Sequence, residues 1–221
     1  MNLKKCLLLL SILVLILGCQ GGSDSEYVRE QLGRGAVEQS SKKKGKKKKR
    51  TRNLSPGVVI DQLHGVPVYF NGGIGNTHGR HVAEDGYNLG LKWQCVEFVK
   101  RYYYDKLHHK MPDPWGHAKD FYDPYIIDGG YNTARNLRQF HNPSKTKPKK
   151  RDILVFKGHS DNPFGHIAIV SKVGKDYIEI TQQNVGRDSR DRIPLIDMGN
   201  EWYLPNVDVS GWLGKRNRRR N

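Results

Sequence analysis

Leu91-Lys92-Trp93-Gln94-Cys95-Val96-Glu97-Phe98-Val99 is the point where a loop turns into the strongest helix of the chain. From Trp93 to about His108 the apolar residues Val96, Val99, Tyr103 and Leu107 recur at spacings of three and four, the stripe of an amphipathic helix. Downstream the period changes. Asp152-Ile-Leu-Val-Phe156, His166-Ile-Ala-Ile-Val-Ser-Lys-Val173 and Asp176-Tyr-Ile-Glu-Ile-Thr-Gln182 are short β-rich runs, the last two joined by Gly174-Lys175 as a hairpin. A helix followed by an antiparallel sheet predicts an α+β fold. Gly65-Val-Pro-Val-Tyr-Phe70 reads as a further short strand. A second helical stretch is expected over Trp115 to Tyr125, ended by Asp128-Gly129-Gly130, and Pro143 to Arg151 as an exposed connector.

The start of the chain bounds the compartment. Lys4 and Lys5 precede an apolar run from Cys6 to Leu17, then Gly18-Cys19, the layout of a secretory signal. The run is shorter than the roughly 20 residues that span a bilayer. Ile16-Leu17-Gly18-Cys19 resembles a lipoprotein cleavage site, so residues 1–18 are expected to be a signal peptide and Cys19 the lipidated N-terminus. An exported, membrane-anchored protein of the cell envelope follows. With Cys6 removed and Cys19 acylated, Cys95 is left as a free thiol in a compartment that usually pairs thiols.

Charge is concentrated at the two ends. The chain has 38 Lys+Arg against 22 Asp+Glu, a formal net charge of +16, yet residues 55–213 hold 20 of the former and 18 of the latter. Residues 19–54, with Ser40-Ser-Lys-Lys-Lys-Gly-Lys-Lys-Lys-Lys-Arg-Thr-Arg52, are too polar to fold alone and read as a tether. Residues 214–221 form a second basic tail. Both suit anionic lipid head groups or envelope polymers, at about 1 kcal/mol per cation near such a surface. Nucleic acid is the poorer partner, because no base-reading element accompanies the lysines. Residues 55–213 are the right length for one domain.

The chemistry starts at Cys95. A thiol at a helix start feels free N–H groups and the positive end of the dipole, which favour thiolate and a nucleophilic role. His166, placed by Gly165 at the entrance of a strand, is the expected base. His108 and His109 lie too far down the helix. His64, His78, His81, His117, His141 and His159 read as solvated loop residues. Thr181-Gln182-Gln183-Asn184, on the neighbouring strand, offers a carboxamide to orient the imidazole, with Gln182 the first choice and Asn184 the second. Gln94 could supply an oxyanion donor by side chain or backbone.

Trp93-Gln94-Cys95-Val96-Glu97-Phe98, then Gly165-His166-Ile-Ala-Ile-Val and Gln183-Asn184-Val185, resembles the CHAP family of cysteine, histidine-dependent amidohydrolases/peptidases. The likeness is strongest to the amidase domain of glutathionylspermidine synthetase/amidase. It extends to Gly65-Val66, Val68-Tyr69 and Gly211-Trp212. The resemblance implies a papain-like fold, Cys95 as nucleophile and His166 as base. It implies cleavage of amide bonds, in peptidoglycan peptides or, in the amidase branch, in a glutathione–polyamine conjugate. One departure stands out: the family pattern reads Glu-Gln-Asn where this chain has Gln182-Gln183-Asn184. That leaves either a site oriented by a carboxamide or a silent envelope-binding lipoprotein, and retention of Cys95 with His166 favours the former. Arg151-Asp152 stands where the family often has Gly-Asp.

Other residues read as structural. Trp93, Tyr102, Tyr103, Tyr104, Trp115, Phe121, Tyr122 and Tyr125 are expected to pack rather than line a cleft. Lys100 and Arg101 read as a solvated helix face. Glu97 sits about 200° around the helix from Cys95 and is not an expected catalytic partner. No cofactor is expected: His78, His81 and Asp85 make a weak metal set, Asp113, Asp120, Asp123 and Asp128 do not fit a calcium loop, and no phosphate loop appears.

Overall fold

The computed structural model describes residues 54–216. The expected signal peptide, lipidated Cys19, nearly all of the tether and the tail beyond Arg216 lie outside the described residues. In chain order the elements are β1 (Val59–Leu63) and β2 (Val66–Tyr69), β3 (Arg80–Val82) and β4 (Asn88–Leu91), and α1 (Cys95–Leu107). There follow β5 (Tyr131–Asn132), β6 (Leu137–His141), β7 (Ile153–Phe156), β8 (His166–Val173), β9 (Tyr177–Thr181) and β10 (Arg190–Pro194). A short ribbon of β11 (Ile196–Asp197) and β12 (Trp202–Tyr203) precedes β13 (Val209–Gly214). One α-helix among the described residues and one large antiparallel sheet make the fold α+β. No helix of the described residues is long and apolar enough to cross a membrane.

The sheet has seven strands in the order β10-β9-β8-β7-β13-β6-β5, every neighbouring pair antiparallel. Its central strands are buried on both faces, which is why Ile153-Leu154-Val155 is a continuous apolar run. Ile153, Val155, Ile167 and Ile169 pack under α1 with Phe98, Val99 and Tyr102. Leu154, Ala168, Val170, Ile180 and Trp212 fill the opposite face. Each large side chain withdrawn from water in this way contributes about 1.5–3 kcal/mol.

α1 is buried far beyond the expected stripe. Phe98, Val99, Tyr102 and Tyr103 are core, whereas Val96 and Leu107 are only half-buried. Gly90 explains part of this: a Cβ there would sit 3.3 Å from the Glu97 nitrogen, so β4 crosses the first helical turn at close range. Lys100, held by the Asn88 carbonyl of β4, and Arg101, lying over the Tyr69 ring of β2, are buried, not solvated. Lys100 Nζ donates to the Asn88 and Pro114 carbonyls, and burial pulls its pKa down to about 8.

The expected helix over Trp115 to Tyr125 is a single 3-10 turn, Lys119–Phe121. Gly116 has a φ of +106°, Pro124 cannot continue a helix, and Lys119 N–H is spent on the Phe164 carbonyl. Buried Arg135 answers the loop instead, donating to the carbonyls of Asp113, Trp115 and Asp120. Within this loop Phe121 is core, while Trp115 is exposed and Tyr125 is 94 % exposed, against the packing expectation. At the other end of the fold Arg151 holds a φ of +77°, the left-handed region that favours glycine, so the Gly-Asp of the resembled pattern has a conformational reason. Asp152 is buried and takes both Arg216 Nη1 and Nη2 at 2.7 Å.

Candidate active site

Three elements converge around Cys95. The β4–α1 loop delivers it, β8 brings His166, and the segment leaving β9 brings three consecutive carboxamides. Trp93, two residues before Cys95, has a φ of +66°, and Asn184 has a φ of +68°. Left-handed conformations at such residues cost of order 1–3 kcal/mol and persist only where the surroundings hold them. Here the Trp93 ring rests on His78, with centroids 4.3 Å apart, and Asn184 is tied by hydrogen bonds on both sides.

Cys95 is 9 % exposed and packs in the apolar cluster beneath α1. Burial pushes its thiol above the ordinary value, while the N–H groups of Ile167, Val96 and Cys95 itself pull the other way. Desolvation thus opposes the thiolate expected at the helix start and favours the thiol.

His166 and Gln182 meet as expected. The ring Nε2 lies 2.9 Å from Gln182 Oε1, the only hydrogen bond of the imidazole among the described residues. Since a carboxamide oxygen can only accept, Nε2 carries the hydrogen and Nδ1 the lone pair. Burial holds the imidazole pKa down at about 4, and the Gln182 bond opposes that shift. Ile167, one residue beyond His166, packs in the same cluster as Cys95, and its N–H favours the charged sulfur against the pull of burial. A hollow of about 160 Å³ opens beside His166 and Gln182, bordered by Phe156, Lys157, Asn162 and Asp208.

Asn184 and Gln94 take roles other than those expected. Asn184 Nδ2 donates to Gln94 Oε1 at 2.6 Å, and its own oxygen accepts from Asn71, so it does not orient the imidazole. Gln94 Nε2 donates to the Asn76 carbonyl at 2.6 Å and its backbone N–H to Leu91. Both of its donors are occupied, and the N–H groups that face the sulfur are those of Cys95, Val96 and Ile167.

Glu97, set aside on the helical period, and Gln183, a member of the carboxamide run, were given no role in the site by the sequence. Glu97 is buried and takes Arg101 Nε at 2.6 Å, His81 Nδ1 at 2.8 Å and Gln183 Nε2 at 2.9 Å. Burial alone pushes its carboxyl up, but the His81, Arg101 and Gln183 contacts together hold it below the ordinary range. His81 is therefore a partnered residue, not a solvated one. The three-residue metal set is not assembled either: Asp85 goes to Tyr104 and Lys110, and His78 to the Asn71 carbonyl.

Residues 86–184 match the CHAP domain family. Glutathionylspermidine synthase of Crithidia fasciculata is 33 % identical over 107 residues, covering 44 % of this chain and 14 % of that protein. Bifunctional glutathionylspermidine synthetase/amidase of Escherichia coli (strain K12) is 28 % identical over 107 residues, covering 48 % of this chain and 17 % of its own length. The chain thus spans less than a fifth of either relative. The solved structure of Ly7917 overlays on 55 % of this chain and 53 % of its own with a TM-score of 0.32 and 20 % identity, too loose a superposition to bear on the fold. The family match agrees with the motifs: residues 86–184 are similar to the CHAP domain, and Cys95, His166 and Gln182 all lie inside the matched span.

Proposed function

We propose that this chain is an exported, lipid-anchored cysteine amidohydrolase that cuts an amide bond of peptidoglycan through a thioester on Cys95. The observation that carries the reading is the Gln182–His166 bond, which leaves Nδ1 as the ring atom free to take a proton, on the strand whose next residue, Ile167, packs in one cluster with Cys95. The arrangement is read as papain-like. Burial disfavours charge on both Cys95 and His166, so His166 acts as a general base at the moment of attack rather than as half of a standing ion pair. Bonds to the proton tighten when substrate closes the site, as they do in other hydrolases.

The Cys95 thiol gives its proton to His166 as the sulfur attacks the amide carbonyl carbon. N–H groups at the start of α1 hold the developing oxyanion. The imidazolium returns the proton to the leaving nitrogen, and an amine departs. His166 then takes a proton from water, whose oxygen attacks the thioester. Collapse releases the acid and restores the thiol. Gln182 keeps the ring in the productive tautomer throughout.

Lipid on Cys19 and the lysine-rich segment would hold the enzyme at the envelope, beside its substrate. A glutathione–polyamine amide is the second reading, supported by the two relatives whose names carry that conjugate. The full-length protein, incubated with purified sacculi, is expected to release new amino groups, and Cys95→Ala to release none. Absence of release from both sacculi and a glutathione–polyamine amide, alongside salt-sensitive sacculus binding, would instead identify a silent binding protein.

A further inference from the structure

Three carboxamides in a row leave the end of β9, and each goes to a different part of the site. Gln182 holds His166. Asn184 holds Gln94, the residue before the nucleophile. Gln183, between them, is 0 % exposed and joins three elements at once. Its Oε1 accepts the Tyr69 N–H at the end of β2 at 2.7 Å. Its Nε2 donates to the Gln94 carbonyl at 3.0 Å and to Glu97 Oε2 at 2.9 Å.

We propose that Gln183 is a positioning residue, which fixes the Cys95 end of α1 against the strand end that carries His166 and Gln182. The assignment rests on the hydrolase reading only for its kinetic consequence. The chemistry of the place admits few side chains. One end must accept from a backbone N–H, while the other must donate to a carbonyl and to a buried carboxylate. A glutamate would set a second carboxylate against Glu97. An apolar residue would strand the Tyr69 N–H in a dry interior and leave the Gln94 carbonyl with the Phe98 N–H alone. Arg101 and His81 hold Glu97 from its other side, so the acceptor it presents to Gln183 is itself fixed. The pull of Gln183 on the Gln94 carbonyl acts one residue from the sulfur. Its chain neighbour acts directly on the imidazole. Loosening it therefore changes the sulfur-to-ring separation, and a displacement of about 1 Å at a reacting pair can cost on the order of 100-fold in rate.

The test compares wild type, Gln183→Met, which keeps the shape, and Gln183→Ala in the full chain. Melting curves give the folded fraction, and kcat and KM are measured on whichever amide the wild type turns over. Iodoacetamide modification of Cys95 provides a readout that needs no substrate, with His166→Ala defining the part of its rate that depends on the imidazole. Per folded molecule, kcat is expected to fall about 100-fold with KM nearly unchanged, and the imidazole-dependent modification to fall in parallel. Variants that melt earlier yet keep kcat and modification rate would overturn the proposal. So would a wild-type thiol whose modification ignores His166→Ala. If the wild type turns over no amide, the hydrolase reading fails by itself. The modification rates then still decide: loss of the imidazole-dependent part in Gln183→Met upholds the positioning role, and its persistence refutes it.

Discussion

Gln182 Oε1 and His166 Nε2 stand 2.9 Å apart, a neutral oxygen where the resembled pattern places a carboxylate. The geometry of orientation is kept while the charge that would stabilise imidazolium is missing. Gln182→Glu restores that charge in the same place. An opposite charge within hydrogen-bonding distance favours the protonated ring, shifting a pKa by about 1–3 units. The imidazole pKa is therefore expected to rise from about 4. The rate of Cys95-dependent amide hydrolysis should increase at neutral pH. A variant with unchanged titration and unchanged rate would show that the carboxamide already does everything the acid can do.

The depressed imidazole pKa also sets the acid limit of the enzyme. His166 must be neutral to act as base, so kcat/KM is expected to hold down to about pH 4 and not to fall near the ordinary 6.5. Stability follows the same group. The unfolded ring binds a proton between 6.5 and about 4 while the folded ring does not. Its contribution is thus fully present above the ordinary value and lost as pH falls toward the folded one. A pH–rate profile with its acid limb near 6.5 would contradict the buried neutral ring.

The helix from Cys95, the three β-rich runs and the His166–Gln182 pair could be read from the sequence because each rests on local periodicity or short spacing. Positions where tertiary contact decides were not legible. Lys100 and Arg101 look like a solvated face in the helical period, and only tertiary contacts, with Asn88 and Pro114 for Lys100 and with Tyr69 for Arg101, bury them. Glu97 and Gln183 are 86 residues apart and become partners through the sheet. Burial also reversed the reading of Cys95, since a helix start implies thiolate and only the packed neighbours reveal the cost of charge there. The failed helix at Trp115 to Tyr125 was foreshadowed by Gly116 and Pro124, but Arg135, which satisfies its carbonyls, lies outside the segment.

Gly165 tests how tightly the base is placed. Its φ is +71°, and a Cβ would stand 2.5 Å from the Phe156 carbonyl oxygen and 3.1 Å from the Lys119 nitrogen. Both neighbours are backbone, so neither yields cheaply. Gly165→Ala is expected to destabilise the protein by more than about 1 kcal/mol and to move His166 off its bond to Gln182. Melting curves and the rate per folded molecule check the two effects separately. A variant that melts normally and turns over normally would mean that the strand entrance shifts freely.

Glu97 and Arg101 form a buried ion pair one turn apart, 2.6 Å between Nε and Oε1, with one further guanidinium nitrogen, Nη1, buried and without a partner. Removing one partner of such a pair leaves the other charge in a dry interior, at a cost of about 3–5 kcal/mol. Glu97→Leu should reach that range, because Arg101 has no other carboxylate beside it. Arg101→Leu should cost less, since His81 and Gln183 still hold the carboxylate. Glu97→Leu/Arg101→Leu should cost less than the sum of the two single changes, because no unpaired ion remains. Urea midpoints of the four proteins measure this coupling. Strict additivity would mean that the two charges do not sense each other, and the low carboxyl pKa of Glu97 would then need a source other than the guanidinium.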